Sequence, residues 1–275
     1  MLRQAAVAGY FYQGSSPALR EQVERFLVPG ATKIKAFGIV SPHAGLVYSG
    51  SVAGAVYSSI ELPGTFVLIG PNHTGLGAPV SIMAKGNWET PLGTVRIDEE
   101  LAAAILSRSR LVREDTLAHL KEHSLEVQLP FIQCLKKEFT IVPIQMMDTR
   151  LDTCLALGNA IADAIAECGV RSAEFKSKGV LIVASSDMSH YISADAAKKK
   201  DHKAIKRMLD LDAQGLYYTV RDEDITMCGY GPAVAMLTAC KALGATKAEL
   251  IKYANSGEVS GDFDQVVGYA GVVVS

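Results

Sequence analysis

The 275-residue sequence has little net charge and no long apolar run. Its formal net charge is −2 and its isoelectric point is near 6.3, so it lacks the basic character typical of nucleic-acid-binding proteins. No apolar stretch approaches the length needed to cross a bilayer. We therefore expect neither nucleic acid nor a membrane as a partner.

Cysteine is scarce and scattered. The chain has five cysteines, an odd number, and no Cys-x-x-Cys pair, which argues against a disulfide framework and for a reducing compartment. The stretch from Met1 to Gln4 lacks the charged start and hydrophobic core of a secretory signal. These features predict a cytoplasmic protein.

Several common catalytic and nucleotide-binding motifs are also missing. The sequence contains no Gly-x-Ser-x-Gly elbow, no Walker-type phosphate loop, no His-Glu-x-x-His helix and no Gly-x-Gly-x-x-Gly opening a βαβ unit. The chemistry must therefore be sought in other polar clusters.

Apolar residues make up 49% of the chain, enough for a sizeable core. Short apolar runs bounded by Gly and Pro alternate with segments of helical periodicity, which predicts one α/β domain over residues 1–275. We expect a largely parallel central sheet flanked by helices, with an antiparallel pair at the C-terminus. The predicted helices span 17–27, 49–60, 98–107, 123–137, 151–168, 195–210, 212–221 and 232–243, and the predicted strands 37–41, 65–70, 80–83, 94–97, 139–145, 179–185, 247–254 and 265–274.

Three polar segments, which we call the strand tips, follow buried apolar strands. They span 41–45, 70–75 and 185–190, and each contains a histidine: His43, His73 and His190. Ligands of open α/β sheets bind outside the carboxyl ends of the strands. Because His43 and His73 end consecutive strands, we expect neighbouring strands about 5 Å apart and a shared metal.

The residues alone leave the third ligand open among Cys228, Glu126, Asp187 and His190. Asp187 lies three residues before His190, a spacing that would let its carboxylate orient the imidazole. Cys228 precedes a predicted helix start, which would lower the pKa of its thiol.

Simpler interpretations stand beside the metal site. A histidine after a strand is often a hydrogen-bonded cap, Asp187 can cap a turn, and Cys228 can be a small buried residue. A third alternative makes Cys228 a nucleophile activated by His190 or His123.

A set of short motifs in this order resembles the Memo family (mediator of cell motility). The resemblance runs from about residue 8 to the C-terminus, and the chain departs from many relatives at Gln13, where they have proline. The motifs are Pro42-His43-Ala44-Gly45, Gly70-Pro71-Asn72-His73, Trp88-Glu89-Thr90-Pro91-Leu92-Gly93, Glu122-His123-Ser124-Leu125-Glu126, Ser185-Ser186-Asp187 with His190-Tyr191, and Cys228-Gly229 with Pro232.

The resemblance implies a fold similar to class III extradiol dioxygenases, which hold non-haem Fe(II) with two histidines and a carboxylate. Carried over by position, His43 and His73 match the histidine ligands, and Cys228 replaces the carboxylate. His190 matches the base of those enzymes, oriented by Asp187. A thiolate in that position favours iron, copper or zinc as the metal.

Two functions follow from the resemblance. One is a metal-dependent redox enzyme or metal carrier with a His/His/Cys site and His190 as acid–base. The other is a non-enzymatic module that binds a peptide or small ligand in the same cleft. Prokaryotic relatives occur alongside AMMECR-type and radical-SAM proteins, which implies a functional link to them.

Overall fold

The structure, a computed structural model, describes residues 1–171 and 179–275. Strands and helices alternate along most of the chain. The strands are β1 Leu2–Arg3, β2 Gly38–Ser41, β3 Thr65–Pro71, β4 Val80–Ile82, β5 Asn87–Thr90, β6 Gly93–Ile97, β7 Arg113–Glu114, β8 Thr140–Met146, β9 Val180–Ser185, β10 His190–Ile192, β11 Ala248–Asn255 and β12 Val266–Val274. The helices are α1 Ser16–Glu24, α2 Leu46–Ser58, α3 Glu99–Arg108, α4 Leu117–Leu120, α5 Leu129–Leu135, α6 Leu151–Arg171, α7 Ala194–Leu209, α8 Ala213–Asp222, α9 Tyr230–Ala242 and α10 Gly257–Ser260.

The twelve strands of the described residues join one mixed sheet, whose main path is β1-β5-β6-β8-β3-β9-β2-β12-β10. The centre, β6-β8-β3-β9-β2, is parallel throughout. Strand β12 pairs antiparallel with β2 and with β11, as expected for the C-terminal pair. The predicted α/β fold with a largely parallel central sheet is therefore confirmed.

Helices cover both faces of this sheet. A Cβ placed on Gly38 would meet Met236 and Cys240 of α9, whereas one placed on Gly271 would meet Val52 and Val56 of α2. Strands β2 and β3 are buried along their whole length, which explains why their sequences are continuously apolar rather than alternating. The core therefore lies on both sides of the strands that lead to the tips.

The three strand tips do meet at one edge, but the expected strand order is wrong. Strand β9 lies between β2 and β3, and Ser41 pairs with Ser185 while Ile69 pairs with Ala184. The third tip is thus central and separates the other two. Sequence adjacency failed as a guide because β9, which comes later in the chain, lies between the two earlier strands.

Two predicted elements need smaller corrections. The expected helix 123–137 is a turn of 3₁₀ helix over Glu126–Gln128 followed by α5. The helix α5 begins at Leu129, and Pro130 lies in its first turn, where proline is tolerated. The insert before α3 is a hairpin of β5 and β6, and Asp98 caps α3 by accepting a hydrogen bond from the Leu101 N–H, as predicted. None of the helices in the described ranges is long and apolar enough to cross a membrane.

Candidate metal centre

His43 is locked in place by the end of strand β9. Its Nδ1 lies 2.9 Å from the hydroxyl oxygen of Ser185, which donates its own proton to the Ser124 carbonyl at 2.6 Å and accepts from Gln128 Nε2 at 2.8 Å. Since the hydroxyl has a single proton to donate, Nδ1 of His43 must be the donor in their contact. This tautomer, assigned from the hydrogen bonds, leaves Nε2 with a free lone pair.

Cys228 faces that lone pair. Its Sγ lies 3.3 Å from Nε2 of His43 and accepts a hydrogen bond from the Asp187 backbone N–H at 3.3 Å. Burial, and then the charge of Asp187, raise the pKa of the thiol. The predicted lowering by the helix start is wrong, because desolvation of the thiolate outweighs the backbone dipoles. A cation would reverse this, since coordinated thiols lose their proton.

His73 is held by a buried carboxylate. Its Nδ1 lies 3.0 Å from Oε1 of Glu122, and its backbone N–H donates to Oε2 at 2.5 Å. Burial raises the pKa of Glu122, but hydrogen bonds from His73 and Ser124 outweigh it and lower that pKa to about 2. The carboxylate is therefore an ionised acceptor, which makes Nδ1 of His73 the donor. In the neutral ring the lone pair is then on Nε2.

These three side chains form one donor set. One nitrogen of His43, one nitrogen of His73 and Sγ of Cys228 all lie within 4.8 Å of one another. The imidazole centroids of His43 and His73 are 5.3 Å apart although β9 separates their strands. Ligand atoms that lie about 2.0–2.3 Å from one ion need to be only slightly closer to one another than the 4.8 Å limit on these donor atoms. Two imidazoles and a thiol therefore fit a soft or intermediate transition metal.

The surroundings keep His43 uncharged. Burial, followed by the nearby His123, His73 and His190, lowers the pKa of the imidazole well below its usual range. His43 is buried, Cys228 is half-buried and His73 is exposed, so the cluster opens to solvent on the side of His73. A neutral His43 in an accessible cluster is what metal binding requires of this ligand.

Asp187 and His190 lie at the site but do not form the predicted pair. The Oδ1 of Asp187 accepts from the backbone N–H groups of His43 at 2.8 Å and Ala44 at 3.3 Å, which ties the third tip to the first. Nδ1 of His190 lies 2.8 Å from the Thr226 carbonyl oxygen, and its backbone N–H donates to Oγ1 of Thr226 at 2.7 Å. Thr226, rather than Asp187, therefore orients His190.

Of the other candidates for third ligand, Glu126 belongs to the scaffold. Its buried carboxylate accepts from Arg3 and from Tyr12 at 2.5 Å each, and from the backbone N–H groups of Ala6 and Val7. These contacts fix the N-terminal segment against the body, so the interpretation of Glu126 as a ligand is wrong.

The sequence pointed to His123 only as an activator of Cys228, and not as part of a cluster of imidazoles. Its ring stacks on His73 with centroids 4.8 Å apart and an interplanar angle of 21°, and lies 5.4 Å from His43. Phe11 packs on His123 at 4.5 Å. The acidic residue Glu122 beside His123 could have indicated that His123 belongs to the site, but the same pair is equally typical of a helix start.

Fold and site together define a class: an α/β protein with a His/His/Cys donor set at the carboxyl edge of its parallel strands. A family model described as Memo-like protein matches residues 3–273. The chain belongs to the Memo family.

Archaeal and bacterial relatives match over nearly their whole length. A MEMO1 family protein of Methanothermobacter thermautotrophicus is 44% identical over 284 residues, covering 98% of this chain and 99% of its own. One from Methanosarcina mazei is 44% identical and one from Aquifex aeolicus 43%, each over 99% of this chain.

A solved structure has the same fold. The crystal structure of the uncharacterized protein JW3007 from Escherichia coli K12 aligns with a TM-score of 0.52 at 13% identity. The alignment covers 86% of this chain and 98% of that chain. At this identity the match shows the fold alone.

Proposed function

We propose that this protein binds a transition metal, iron or copper, through His43, His73 and Cys228 and uses it for redox chemistry. The observation that carries the proposal is the convergence of three ligand atoms within 4.8 Å, two of them imidazole nitrogens freed by hydrogen bonds on the opposite ring nitrogen. Such contacts orient metal-bound histidines in proteins.

The donor set narrows the choice of metal. A thiolate with two imidazoles suits copper, zinc and iron far better than magnesium or calcium, which prefer oxygen ligands. Iron or copper would supply one-electron redox chemistry, which zinc does not. Three protein ligands also leave room for a small molecule beside the metal.

His190 is the proposed acid–base residue. Its Nδ1 is fixed by the Thr226 carbonyl, which makes Nε2 the nitrogen that accepts and returns a proton. His190 lies close enough to shift the pKa values of both His43 and Asp187. Asp187 is a positioning residue here, because it joins the His43 backbone to the Cys228 sulfur.

The experiment is metal analysis of protein purified without oxygen or added metal. We expect near-stoichiometric iron or copper in the natural protein and its loss in His43→Ala, His73→Ala and Cys228→Ser. Cys134→Ser is the matched control, because Cys134 is also half-buried. Unchanged metal content in all three site variants would contradict the proposal.

A second function is supported by exposed aromatic side chains beside the site. Tyr191, next to His190, is 72% exposed and has a positive φ of 58°, a conformation that costs energy outside glycine. Tyr48, shortly after the first tip, is 41% exposed. A module that binds a peptide or small ligand without turnover would contact it with such rings. Metal chelators would then leave the affinity for this ligand unchanged. Any link to AMMECR-type and radical-SAM proteins would operate through this cleft.

A further inference from the structure

One buried carboxylate serves two imidazoles. Oε1 of Glu122 lies 3.0 Å from Nδ1 of His73 and 3.3 Å from Nδ1 of His123. The same oxygen accepts backbone N–H groups of His123 at 2.9 Å and Ser124 at 3.0 Å. The Glu122 side chain itself is fully buried, whereas its two imidazole partners are partly exposed.

The Glu122 carboxylate could in principle bind a metal, but its contacts are those of a side chain that supports its neighbours. His73, Glu122 and His123 themselves offer donor atoms within 4.8 Å of one another. However, the carboxylate oxygens already accept three backbone N–H groups, from His73, His123 and Ser124, and moving Glu122 to a metal would strand these buried donors. The unengaged ring nitrogens are those remote from Glu122.

His123 is placed beside the donor set rather than within it. His43, His73 and Cys228 share one group of close donor atoms, whereas His123 shares one only with His73 and Glu122. Its ring is stacked on His73 on one side and packed against Phe11 on the other. The stack limits both rings to one orientation relative to Glu122.

We infer that Glu122 is a positioning residue of the metal centre. It fixes the His73 ring with the proton on Nδ1 and Nε2 as the ligand atom, and it holds His123 alongside as a third imidazole that does not bind the metal. The part of this inference that concerns metal affinity rests on the proposed function, whereas the tautomer of His73 does not.

The first test needs neither a variant nor a metal. ¹⁵N NMR of the metal-free protein distinguishes protonated from unprotonated imidazole nitrogens. At a pH above the range in which imidazoles ordinarily titrate, we expect His73 with Nδ1 protonated and Nε2 unprotonated, and a mixture of tautomers in Glu122→Gln. A natural protein with the proton of His73 on Nε2 overturns the inference, whatever the protein does with metals.

The second test is titration with Co(II), whose thiolate charge-transfer band reports the bond to Cys228. Glu122→Gln should weaken Co(II) binding by about 10–100-fold, which is the usual cost of removing a partner that orients a metal-bound histidine. The charge-transfer band should remain, because Cys228 is still a ligand. His123→Ala should change the affinity less than Glu122→Gln does, because His123 lies outside the donor set. Loss of Co(II) stoichiometry in His123→Ala would show that it is a ligand and overturn the assignment.

Glu126→Gln is the matched control, because Glu126 is equally buried but contacts no imidazole. It should lower thermal stability and leave both Co(II) affinity and the His73 tautomer unchanged. If it weakens Co(II) as much as Glu122→Gln does, the effect of Glu122 is general destabilisation and the inference fails. If the natural protein does not bind Co(II), the proposed metal function fails. The tautomer of His73 then still decides whether Glu122 is a positioning residue.

Discussion

Glu122 and Glu126 lie four residues apart, are both fully buried, and do different work. Glu126 meets a fixed cation, Arg3, at 2.5 Å, and the guanidinium also lies 4.1 Å from the centre of the Trp88 ring. Glu122 meets the imidazoles of His73 and His123 instead. A carboxylate neutralised by arginine fixes structure, whereas one that contacts imidazoles makes them better ligands for a cation.

The largest expected effect comes from removing Glu126, the structural carboxylate of this comparison. Glu126→Ala leaves the Arg3 guanidinium buried and unpaired, so we expect a loss of about 3–5 kcal/mol in the free energy of unfolding. Urea denaturation of metal-free protein measures it, with the exposed Glu21 of the Arg25 pair as the control site. A loss below about 1 kcal/mol would mean that the pair contributes little more than a surface one.

The next effect is a pH dependence specific to Glu122. Its folded-state pKa of about 2 lies below the ordinary 4.5, so the stability it contributes is complete above pH 4.5 and is lost as the pH falls towards 2. The advantage of the natural protein over Glu122→Gln should therefore shrink on acidification, by at most about 3 kcal/mol. Urea denaturation between pH 6 and pH 3 measures this; an advantage that stays constant or grows contradicts the depressed pKa.

The smallest effect concerns the other metal-facing histidine. Ser185→Ala removes a neutral hydroxyl from beside His43, and should cost about 1–3 kcal/mol of stability because Gln128 Nε2 loses a buried partner. Metal affinity should fall less than in Glu122→Gln, since a hydroxyl polarises an imidazole less than a carboxylate does. Isothermal titration with Co(II) compares the two variants, and an equal or greater loss in Ser185→Ala would reverse the ranking.

Sequence reasoning succeeded where local pattern controls the outcome. The continuous apolar runs of β2, β3 and β9 predicted buried parallel strands, and the polar residues after them predicted the edge where the ligand atoms meet. The resemblance singled out His43, His73 and Cys228, which the structure brings together.

It failed where a side chain's partner comes from a distant part of the chain. Glu122 reaches His73 across 49 residues, and Thr226 reaches His190 across 36. The spacing of Asp187 and His190 suggested a local pair that tertiary contacts override. The pKa of Cys228 depends on desolvation, which only the packed structure reveals.

X-ray absorption spectroscopy of the iron- or copper-loaded protein tests the central claim most directly. We expect one sulfur and two imidazole nitrogens around the metal, with the sulfur lost in Cys228→Ser and one imidazole lost in His73→Ala. A metal surrounded by oxygen and nitrogen alone in the natural protein would contradict it.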